Sequence, residues 1–411
     1  MSALKGACIV GQSGGPTAVI NSSAYGVIKT ALENKNITRV FGAEYGIKGI
    51  LNDRLFDMGK EDPSELELLP YTPSSALGSC RYKIADPAVD DTDYRRILEI
   101  FKKYDVRYFF YIGGNDSMDT CNKISKYMQQ VGYECRVIGV PKTIDNDLSG
   151  TDHCPGYGSA AKYIATSFME IYTDAHVYET GTIVMVEIMG RNAGWLTAAA
   201  ALAKEFGYGP DLIYVPEVDF DMDQFVADAT RIYREQNYCL IAVSEGIHYA
   251  DGSLVVNAKT SSNDGFGHAQ LGGLAAQLTH MLKEKTGAKV RGIELNLLQR
   301  CGAHLASQTD IDESFMAGQA AVENAVAGMT DQMVGFERLY RNGNYVCRTK
   351  LVPLADAANT EKKMPLEWIN PQHNGIEKEF IEYVLPLIQG EPTLHKESSL
   401  PRFEKLKKVL A

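Results

Sequence analysis

The sequence lacks the patterns that assign a protein to several common functional classes. Across its 411 residues no apolar run approaches the roughly 18 residues that a membrane-spanning helix needs. The net charge of −11 argues against general binding to nucleic acid or to anionic membranes, although a locally basic pocket is still compatible with it. The beginning of the sequence has no signal-peptide architecture, and we therefore expect a cytoplasmic protein.

Metal-binding and nucleotide-binding signatures are also missing. The eight cysteines and eight histidines are dispersed and no CxxC pair occurs, so we predict free thiols and no zinc site. Neither the GxxxxGK(S/T) phosphate loop nor the GxGxxG dinucleotide fingerprint is present. Any phosphate site in this chain must therefore be built differently.

What the sequence does contain is a βαβ unit whose two strands both end in reactive groups. The apolar run at 107–112 ends in GGNDS at 113–117, and a second run at 135–140 ends in PKTIDND at 141–147. Ligands of open parallel sheets bind beyond the carboxyl ends of the strands. Lysine and glycine backbone suit phosphate, whereas carboxylates suit Mg²⁺ or a proton.

Strands and helices alternate along most of the chain. Further strand-like runs lie at 7–11, 182–188, 212–216 and 239–243, each followed by a helical pattern. This alternation predicts an α/β fold of parallel sheets with helices on both faces.

Besides the helix that starts at Asp221, three more helices are predicted in the second half of the chain. One carries Leu271, Leu274, Leu278 and Leu282 on a single face and ends before Gly287. The other two lie near the end of the sequence, at about 377–387 and 402–410.

The loop QSGGP at 12–16 connects the first strand to a helix that begins near residue 17. Glycine amides at a helix N-terminus form a ready anion site, but the same pattern is equally typical of a tight strand–helix turn. Arg81, beside a Gly-Ser turn, could reach a phosphate or could simply be solvated.

Six motifs occur together in an order and spacing that resemble the phosphofructokinase family. They are Gly14-Gly15, GGNDS at 113–117, PKTIDND at 141–147, MGR at 189–191, SEG at 244–246 and QR at 299–300. The resemblance covers about residues 1–355. It implies an α/β protein of two doubly wound, Rossmann-like domains with mostly parallel sheets and the active site in the cleft between them. The implied phosphoryl-donor domain is 1–156 with 299–355, and the sugar-phosphate domain is 157–298 with 356–411.

The resemblance also implies an activity, which is phosphoryl transfer to the 1-hydroxyl of fructose 6-phosphate with Mg²⁺ as cofactor. ATP-using members carry glycine at the positions of Asp116 and Lys142, whereas pyrophosphate-using members carry aspartate and lysine, as here. A carboxylate at 116 would occupy the space of a nucleotide α-phosphate and repel it. The ammonium at 142 would stabilise the transferring phosphate, an effect typically worth about 3–4 kcal/mol. Pyrophosphate is therefore the expected donor.

Residue roles follow from the same matching. The catalytic group is Asp145 as general base with Lys142 and Arg191, and the donor-binding group is Gly15, Arg81, Asp116, Ser117 and Lys142. The sugar-phosphate group is Thr143, Asp145, Met189, Gly190, Arg191, Glu245, Arg291 and Arg300, and the metal group is Asn115 and Asp147. In the family an arginine at the position of Arg291 reaches in from a neighbouring subunit, so a homodimer or homotetramer is implied. Without the other motifs, residues 145–147 could equally well cap a turn or the next helix.

Three positions depart from the family pattern. Asn115 replaces the usual metal-binding aspartate, Thr182 replaces an arginine that grips the 6-phosphate, and Leu297 replaces a histidine or tyrosine near the sugar. A related substrate such as sedoheptulose 7-phosphate is thus an alternative. Two other functions also compete: an ATP-dependent kinase of the same fold, and a non-catalytic sugar-phosphate-binding regulatory subunit.

Overall fold

Each apolar run predicted as a strand forms one, and the strands belong to two main sheets. The computed structural model describes residues 4–177, 179–256, 273–358 and 360–411. The strands of the first sheet are β1 (Gly6–Gln12), β2 (Ile37–Ala43), β3 (Leu55–Asp57), β4 (Val106–Gly113), β5 (Arg136–Pro141), β10 (Gln332–Arg341) and β11 (Asn344–Pro353). Those of the second sheet are β6 (Thr182–Ile188), β7 (Leu212–Tyr214), β8 (Tyr238–Ser244) and β9 (Lys289–Glu294). Short strands β12 (Lys396–Glu397) and β13 (Leu400–Pro401) form a separate hairpin.

The pairing of the strands confirms the α/β prediction with mostly parallel sheets. In the described residues the first sheet has the order β11-β10-β5-β4-β1-β2-β3, parallel from β10 to β2 with an antiparallel strand at each edge. The second sheet has the order β7-β8-β6-β9 and all of its pairings are parallel.

Helices cover these sheets. They are α1 (Ile20–Glu33), α2 (Ile47–Leu51), α3 (Pro63–Leu66), α4 (Thr92–Lys103), α5 (Asn115–Gln130), α6 (Tyr157–Ala175), α7 (Trp195–Ala198), α8 (Ala201–Glu205), α9 (Met222–Gln236), α10 (Leu274–Thr286), α11 (Leu298–Cys301), α12 (Gln308–Val326), α13 (Leu354–Ala357) and α14 (Lys378–Val384). The predicted leucine face belongs to α10, except for Leu271, which lies outside the described residues. No helix in the described ranges is long and apolar enough to cross a membrane.

The central strands are apolar throughout because both faces of each sheet are covered. On β4, Phe109 and Tyr111 pack into one core while Tyr108 and Phe110 pack into another. Successive side chains of a strand point to opposite faces, so an uninterrupted apolar run is what a strand between two cores requires. Each such side chain contributes about 1.5–3 kcal/mol by burial. These strands are therefore rigid supports for the loops at their ends.

The predicted helix at 402–410 is wrong. The backbone has no regular helix there: instead of bonding within a helix, the Lys405 N–H donates to the carboxylate of Glu65 (2.7 Å) and the Lys408 N–H to that of Glu61 (2.7 Å). Leu410 pairs with Phe56, so the end of the chain lies on the first domain rather than with the second, to which 356–411 is assigned above. The remaining domain boundaries stay a prediction.

Candidate active site

A cavity of about 620 Å³ opens between loops that follow strands of the two sheets. Its lining residues are Gly14, Gly15, Pro16, Arg81, Lys83, Gly114, Asn115, Asp116, Ser117, Lys142, Thr143, Ile144, Asp145, Asp147, Met189, Arg191, Asn192, Ala193, Glu245, Arg300 and Glu361. The structure thus brings together most of the residues that the sequence predicts for the site. We call the part formed by loops of the first sheet the donor wall and the part formed by loops of the second sheet the acceptor wall.

Strand register explains why three separate motifs meet on the donor wall. Gln12 of β1 lies opposite Ile112 of β4, and Gly113 of β4 lies opposite Pro141 of β5. These are neighbouring parallel strands, so the loops QSGGP, GGNDS and PKTIDND leave the sheet at the same edge. The order β5-β4-β1 therefore creates the wall directly from the strand pairing.

Three cations converge on the glycine loop. A Cβ placed on Gly14 would lie 3.2 Å from Lys142 Nζ, and one on Gly15 would lie 3.0 Å from Arg300 Nη1 and 3.6 Å from Arg81 Nη2. Burial lowers the pKa of Lys142 to about 8, with Arg81 adding to the effect and the carboxylate of Asp145 opposing it. A polyanion suits such a loop, because its negative charges could interact with all three cations at once.

Arg300 occupies an unexpected place. The resemblance assigns it to the sugar 6-phosphate, yet its guanidinium faces Gly15 and its pKa is lowered by burial and by the charge of Arg81. In this structure it lies at the donor loop, and its assignment to the sugar phosphate stays a prediction.

The PKTIDND loop presents alternate side chains to the cavity. Asp145 and Asp147 line it, whereas Asn146 between them is fully buried. Thr143 Oγ1 accepts the Asp145 N–H (3.1 Å) and donates to Asp145 Oδ2 (3.5 Å). The two aspartates therefore face solvent space rather than merely capping a turn, and the residue that bonds to backbone is Asn146.

The charge state of Asp145 differs from the simple expectation that Lys142 keeps it ionised. Burial is the larger effect and raises the pKa of Asp145, while the charges of Lys142 and Arg191 and the hydrogen bond from Thr143 oppose the rise. A carboxylate with a raised pKa is a stronger base once it is ionised. Its environment therefore suits proton abstraction.

Asn115 and Asp147 form a set of oxygens that fits a divalent cation. Asn115 Nδ2 donates to Asp147 Oδ2 (3.2 Å), while Asn115 Oδ1 is buried and has no hydrogen-bond partner among the described residues. Burial and the charges of Asp145 and Glu361 raise the pKa of Asp147 to about 7. Mg²⁺ prefers carboxylate and amide oxygens, and a cation here would both relieve this repulsion and satisfy the orphaned oxygen.

The acceptor wall is built by the pairing of β6 with β8. Ile188 lies opposite Ser244, so MGR and SEG leave the second sheet side by side. Ser244 Oγ donates to the Gly190 carbonyl (2.6 Å), and the Gly190 N–H donates to Glu245 Oε1 (3.3 Å). A Cβ on Gly246 would come within 1.8 Å of the Arg191 carbonyl oxygen, so only glycine permits this approach.

Glu245 and Arg191 are the charged groups of the acceptor wall. Burial raises the pKa of Glu245 to about 7, and the charge of Asp145 adds to this rise, whereas the Gly190 N–H and Arg191 oppose it. An acidic group that titrates near neutrality accepts strong, charge-assisted hydrogen bonds from sugar hydroxyls only above that pH. The wall is therefore suited to a hydroxylated ligand that also carries negative charge for Arg191.

Arg291 is not brought to the cavity. It is exposed on β9, the edge strand of the second sheet, and is absent from the described residues that line the cavity. Thr182 is buried on the neighbouring strand β6 and donates to the Lys289 carbonyl (3.0 Å), while Leu297 is 53% exposed. Arg291 and Leu297 thus belong to an open face, and neither they nor Thr182 line the site within one chain.

Sequence reasoning missed three charged or polar lining residues, namely Lys83, Asn192 and Glu361. Glu361 belongs to the C-terminal segment, in which no catalytic pattern is visible. It reaches the cavity because it pairs with Leu148, beside the PKTIDND loop, and its Oε1 accepts a hydrogen bond from Asn192 Nδ2 (2.8 Å). Asn192 directly follows the MGR motif and could have been found from that position, whereas nothing in the local sequence marks Glu361.

Comparison with known proteins agrees with this geometry. The family model described as Phosphofructokinase matches residues 7–325. The chain is 44% identical to the pyrophosphate--fructose 6-phosphate 1-phosphotransferase of Halomonas elongata over 97% of this chain and 95% of that protein. It is 32% identical to the sulfofructose kinase of Alkalicoccus urumqiensis, over 84% of this chain and 87% of the relative.

A solved structure is also similar over the whole chain. It is the pyrophosphate-dependent phosphofructokinase of Nitrosospira multiformis, with a TM-score of 0.90 and 40% identity over 100% of this chain and 98% of that one. The match of the family model to well over half of the chain, and the near-complete coverage of these relatives, lead to one conclusion. The chain belongs to the phosphofructokinase family.

Proposed function

We propose that this chain reversibly transfers a phosphoryl group from pyrophosphate to the 1-hydroxyl of fructose 6-phosphate, giving fructose 1,6-bisphosphate and phosphate. The observation that carries the proposal is the convergence of Lys142, Arg81 and Arg300 on the Gly14–Gly15 loop, a cradle for a compact polyanion. The names of the relatives from Halomonas elongata and Nitrosospira multiformis support the same donor.

Asp145 is the proposed base. Its carboxylate takes the proton of the 1-hydroxyl as the alcohol oxygen forms a bond to the nearer phosphorus of pyrophosphate. The bond from that phosphorus to the bridging oxygen breaks, and inorganic phosphate leaves with the electron pair. In the reverse direction Asp145 returns the proton. General base catalysis of this kind is typically worth roughly 10²–10⁴-fold in rate.

Lys142 and Arg191 flank this base. The Lys142 ammonium, held against the glycine loop, neutralises charge on the transferring and leaving phosphates. Arg191, from the other wall, holds the anion in line with the sugar. Thr143 orients Asp145 through its hydroxyl, and Glu245 accepts hydrogen bonds from the sugar.

Members of this family generally use Mg²⁺, and the residues present fit it. Asn115 and Asp147 would hold the ion, and Glu361 lines the same cavity, where its charge acts on Asp147. When bound, Mg²⁺ supplies charge neutralisation for the phosphate oxygens. Asn115 contributes an amide where an aspartate is usual, so the charge of this ligand set depends on Asp147 and its acidic neighbours.

The donor wall disfavours ATP. Asp116 lies in the first turn of α5 and lines the cavity, so its carboxylate occupies the helix N-terminus that an α-phosphate would otherwise approach. Replacing Asp116 and Lys142 with glycine together should raise the ratio of ATP to pyrophosphate turnover at least about tenfold, the effect of about 1.4 kcal/mol.

We also propose that a second copy of the chain covers the open face around Arg291. This face combines the exposed edge strand β9 with Leu297 and Leu298, which are 53% and 59% exposed. A homo-oligomer formed there would bring a cation from one chain towards the site of the next.

The direct test is the initial rate of bisphosphate formation from fructose 6-phosphate and Mg²⁺, with pyrophosphate and ATP as separate donors. Turnover with pyrophosphate that Asp145→Ala abolishes is the expected result. Turnover with ATP alone would contradict the donor assignment. No turnover with either donor would direct the assay to sedoheptulose 7-phosphate and sulfofructose as acceptors, and binding without any turnover would favour the regulatory subunit.

A further inference from the structure

We infer that Tyr383, in the C-terminal segment, is a positioning residue that holds Asp145 and Asp147 in their catalytic orientation by acting through Asn146. The inference rests on the proposed function, in which these two aspartates serve as base and metal ligand. Tyr383 lies on α14, far along the chain from the motifs of the family. Tyr383 is not among the described residues that line the cavity, so any effect it has on the chemistry must be indirect.

Asn146 is the pivot of the PKTIDND loop. Its backbone has φ +56°, in the left-handed region that asparagine tolerates better than most residues. Its side chain is fully buried and bonded at both ends: Oδ1 accepts the Cys154 N–H (2.9 Å) and Nδ2 donates to the Tyr383 hydroxyl (2.9 Å). The conformation that turns Asp145 and Asp147 towards the cavity therefore depends on these two bonds.

The Tyr383 hydroxyl closes a ring of hydrogen bonds behind the loop. It donates to the Asp152 carbonyl (2.7 Å) while it accepts from Asn146, and so it connects the two ends of the segment 146–152. The tyrosine ring itself has little freedom, since the Arg338 guanidinium lies 4.6 Å from its centroid and the Trp195 and Trp368 rings lie 5.3 Å away. A hydroxyl fixed in this way is a rigid anchor.

A second contact from the same segment acts in the same direction. The Lys362 N–H donates to the Asp147 carbonyl (2.7 Å), and its ammonium donates to the carbonyls of Thr151 (3.2 Å) and Asp152 (2.7 Å). The C-terminal segment therefore holds the loop at 146, 147, 151 and 152. Of these contacts, only the bond between Tyr383 and Asn146 reaches a side chain located between the two aspartates.

Removing this hydroxyl should affect chemistry more than binding. The Tyr383→Phe variant keeps the ring and its packing, so the fold should survive. A small rotation of the Asp145 carboxylate should lower kcat about tenfold or more, because misplacement by about 1 Å can cost 10²-fold. The KM values for pyrophosphate and fructose 6-phosphate should stay within about twofold of the wild type, because the residues of both walls remain in place.

The matched control is Tyr133→Phe. The single O–H of Tyr133 lies within donating distance of two carbonyls, those of Phe101 (3.0 Å) and Val106 (2.9 Å), at the opposite end of the first sheet from the cavity. Both variants lose a hydroxyl that bonds to backbone, so their melting temperatures should fall by similar amounts. Only Tyr383→Phe should lower kcat, and it should do so by the same factor in the forward and reverse directions.

Two further measurements separate positioning from general destabilisation. Amide hydrogen exchange should become faster in the segment 143–156 of Tyr383→Phe but not of Tyr133→Phe, and this readout needs no turnover. In a double-mutant cycle, Tyr383→Phe should lower kcat less in the Asn146→Ala background than in the wild type. The reason is that both substitutions break the same hydrogen bond.

An unchanged kcat, or additive effects in the cycle, would overturn the inference. If the wild type itself turned over neither donor, the proposed function would fail, while the exchange result would still report whether Tyr383 holds the loop.

Discussion

The donor wall and the acceptor wall of this site differ in how much one chain supplies. The donor wall has a glycine loop, a helix start and Lys142 at the ends of adjacent strands of one sheet, and Arg81 and Arg300, from other parts of the same chain, complete its three cations. The acceptor wall has Arg191 and Glu245, but Arg291 lies on an exposed edge strand outside the cavity. The difference suggests that donor choice is a property of the single chain, whereas recognition of the sugar phosphate depends on more than one.

This contrast also agrees with the relatives. Those that are 44% and 32% identical carry names with different acceptors, fructose 6-phosphate and sulfofructose. An acceptor wall with few fixed charges can change its ligand through a small number of substitutions. Three converging cations, in contrast, suit only the binding of an anion.

The largest expected effect comes from replacing Asp145, which lines the cavity between the donor wall and the acceptor wall. Asp145→Asn keeps the size and the hydrogen bonds of the side chain but removes the base, so kcat should fall roughly 10²–10⁴-fold with little change in either KM. Steady-state kinetics in both directions measure this. Asp174→Asn, which alters an exposed carboxyl on α6, is the control, and a loss of less than tenfold in Asp145→Asn would remove Asp145 as base.

The next effect tests whether the acceptor wall is completed by another chain. Arg291→Ala should raise the KM for fructose 6-phosphate about 10- to 150-fold without changing that for pyrophosphate, since a charged hydrogen bond contributes about 1.5–3 kcal/mol.

Mixing makes this test sharper. When Arg291→Ala and Asp145→Asn chains are combined and assayed at fructose 6-phosphate well below the KM of Arg291→Ala, hybrid oligomers contain one site with both Asp145 and the partner arginine intact, so activity should return. A monomer in solution, or no recovery on mixing, would mean that each chain builds its acceptor wall alone.

The donor wall should respond to pH through Lys142. Burial lowers the pKa of Lys142 to about 8, so its positive charge is nearly complete at a pH well below 8 and is lost as pH rises through that value. The kcat/KM for pyrophosphate, which reports the free enzyme, should therefore fall as pH rises through about 8. Lys142→Arg should abolish this alkaline decline, since arginine stays charged.

The pH dependence that comes from the acceptor wall should have the opposite sign, with activity lost at low pH. Glu245 ionises with a pKa of about 7, so kcat/KM for fructose 6-phosphate should rise as pH increases through that value. Lys283→Arg, on the exposed side of α10, should leave both limbs unchanged. If kcat/KM for pyrophosphate still falls above about pH 8 in Lys142→Arg, the titrating group is a residue other than Lys142.

The smallest expected effect comes from replacing Glu361, which lines the cavity and accepts a hydrogen bond from Asn192. Glu361→Gln should weaken Mg²⁺ binding about two- to fivefold, the scale of a solvent-exposed charge interaction, because the carboxyl is largely exposed. Calorimetric titration of the enzyme with Mg²⁺ in the absence of substrates measures this directly. Glu367→Gln, in the same segment, should have no effect, and equal affinities in the two variants would exclude Glu361 from the metal site.

Much of the site could be predicted from the sequence because its motifs are local. GGNDS and PKTIDND each follow an apolar strand, and parallel pairing of β4 with β5 then requires them to be neighbours. The irregular backbone at the end of the chain could not be predicted from local patterns. The apparent helix at 402–410 is overridden by the carboxylates of Glu61 and Glu65, which are more than 300 residues away along the chain.

The sequence by itself determined the α/β architecture, the family and the motifs of the donor wall, because each depends on patterns of a few adjacent residues and on the uninterrupted apolar runs of strands that are covered on both faces. Only the tertiary structure decided that Arg300 faces the glycine loop, that Arg291 stays outside the cavity, and that Glu361 and Tyr383 come to the catalytic loop. These depend on where distant segments pack, and no local pattern records such contacts, since a hydrogen bond to a backbone carbonyl places little demand on the residues beside it in sequence.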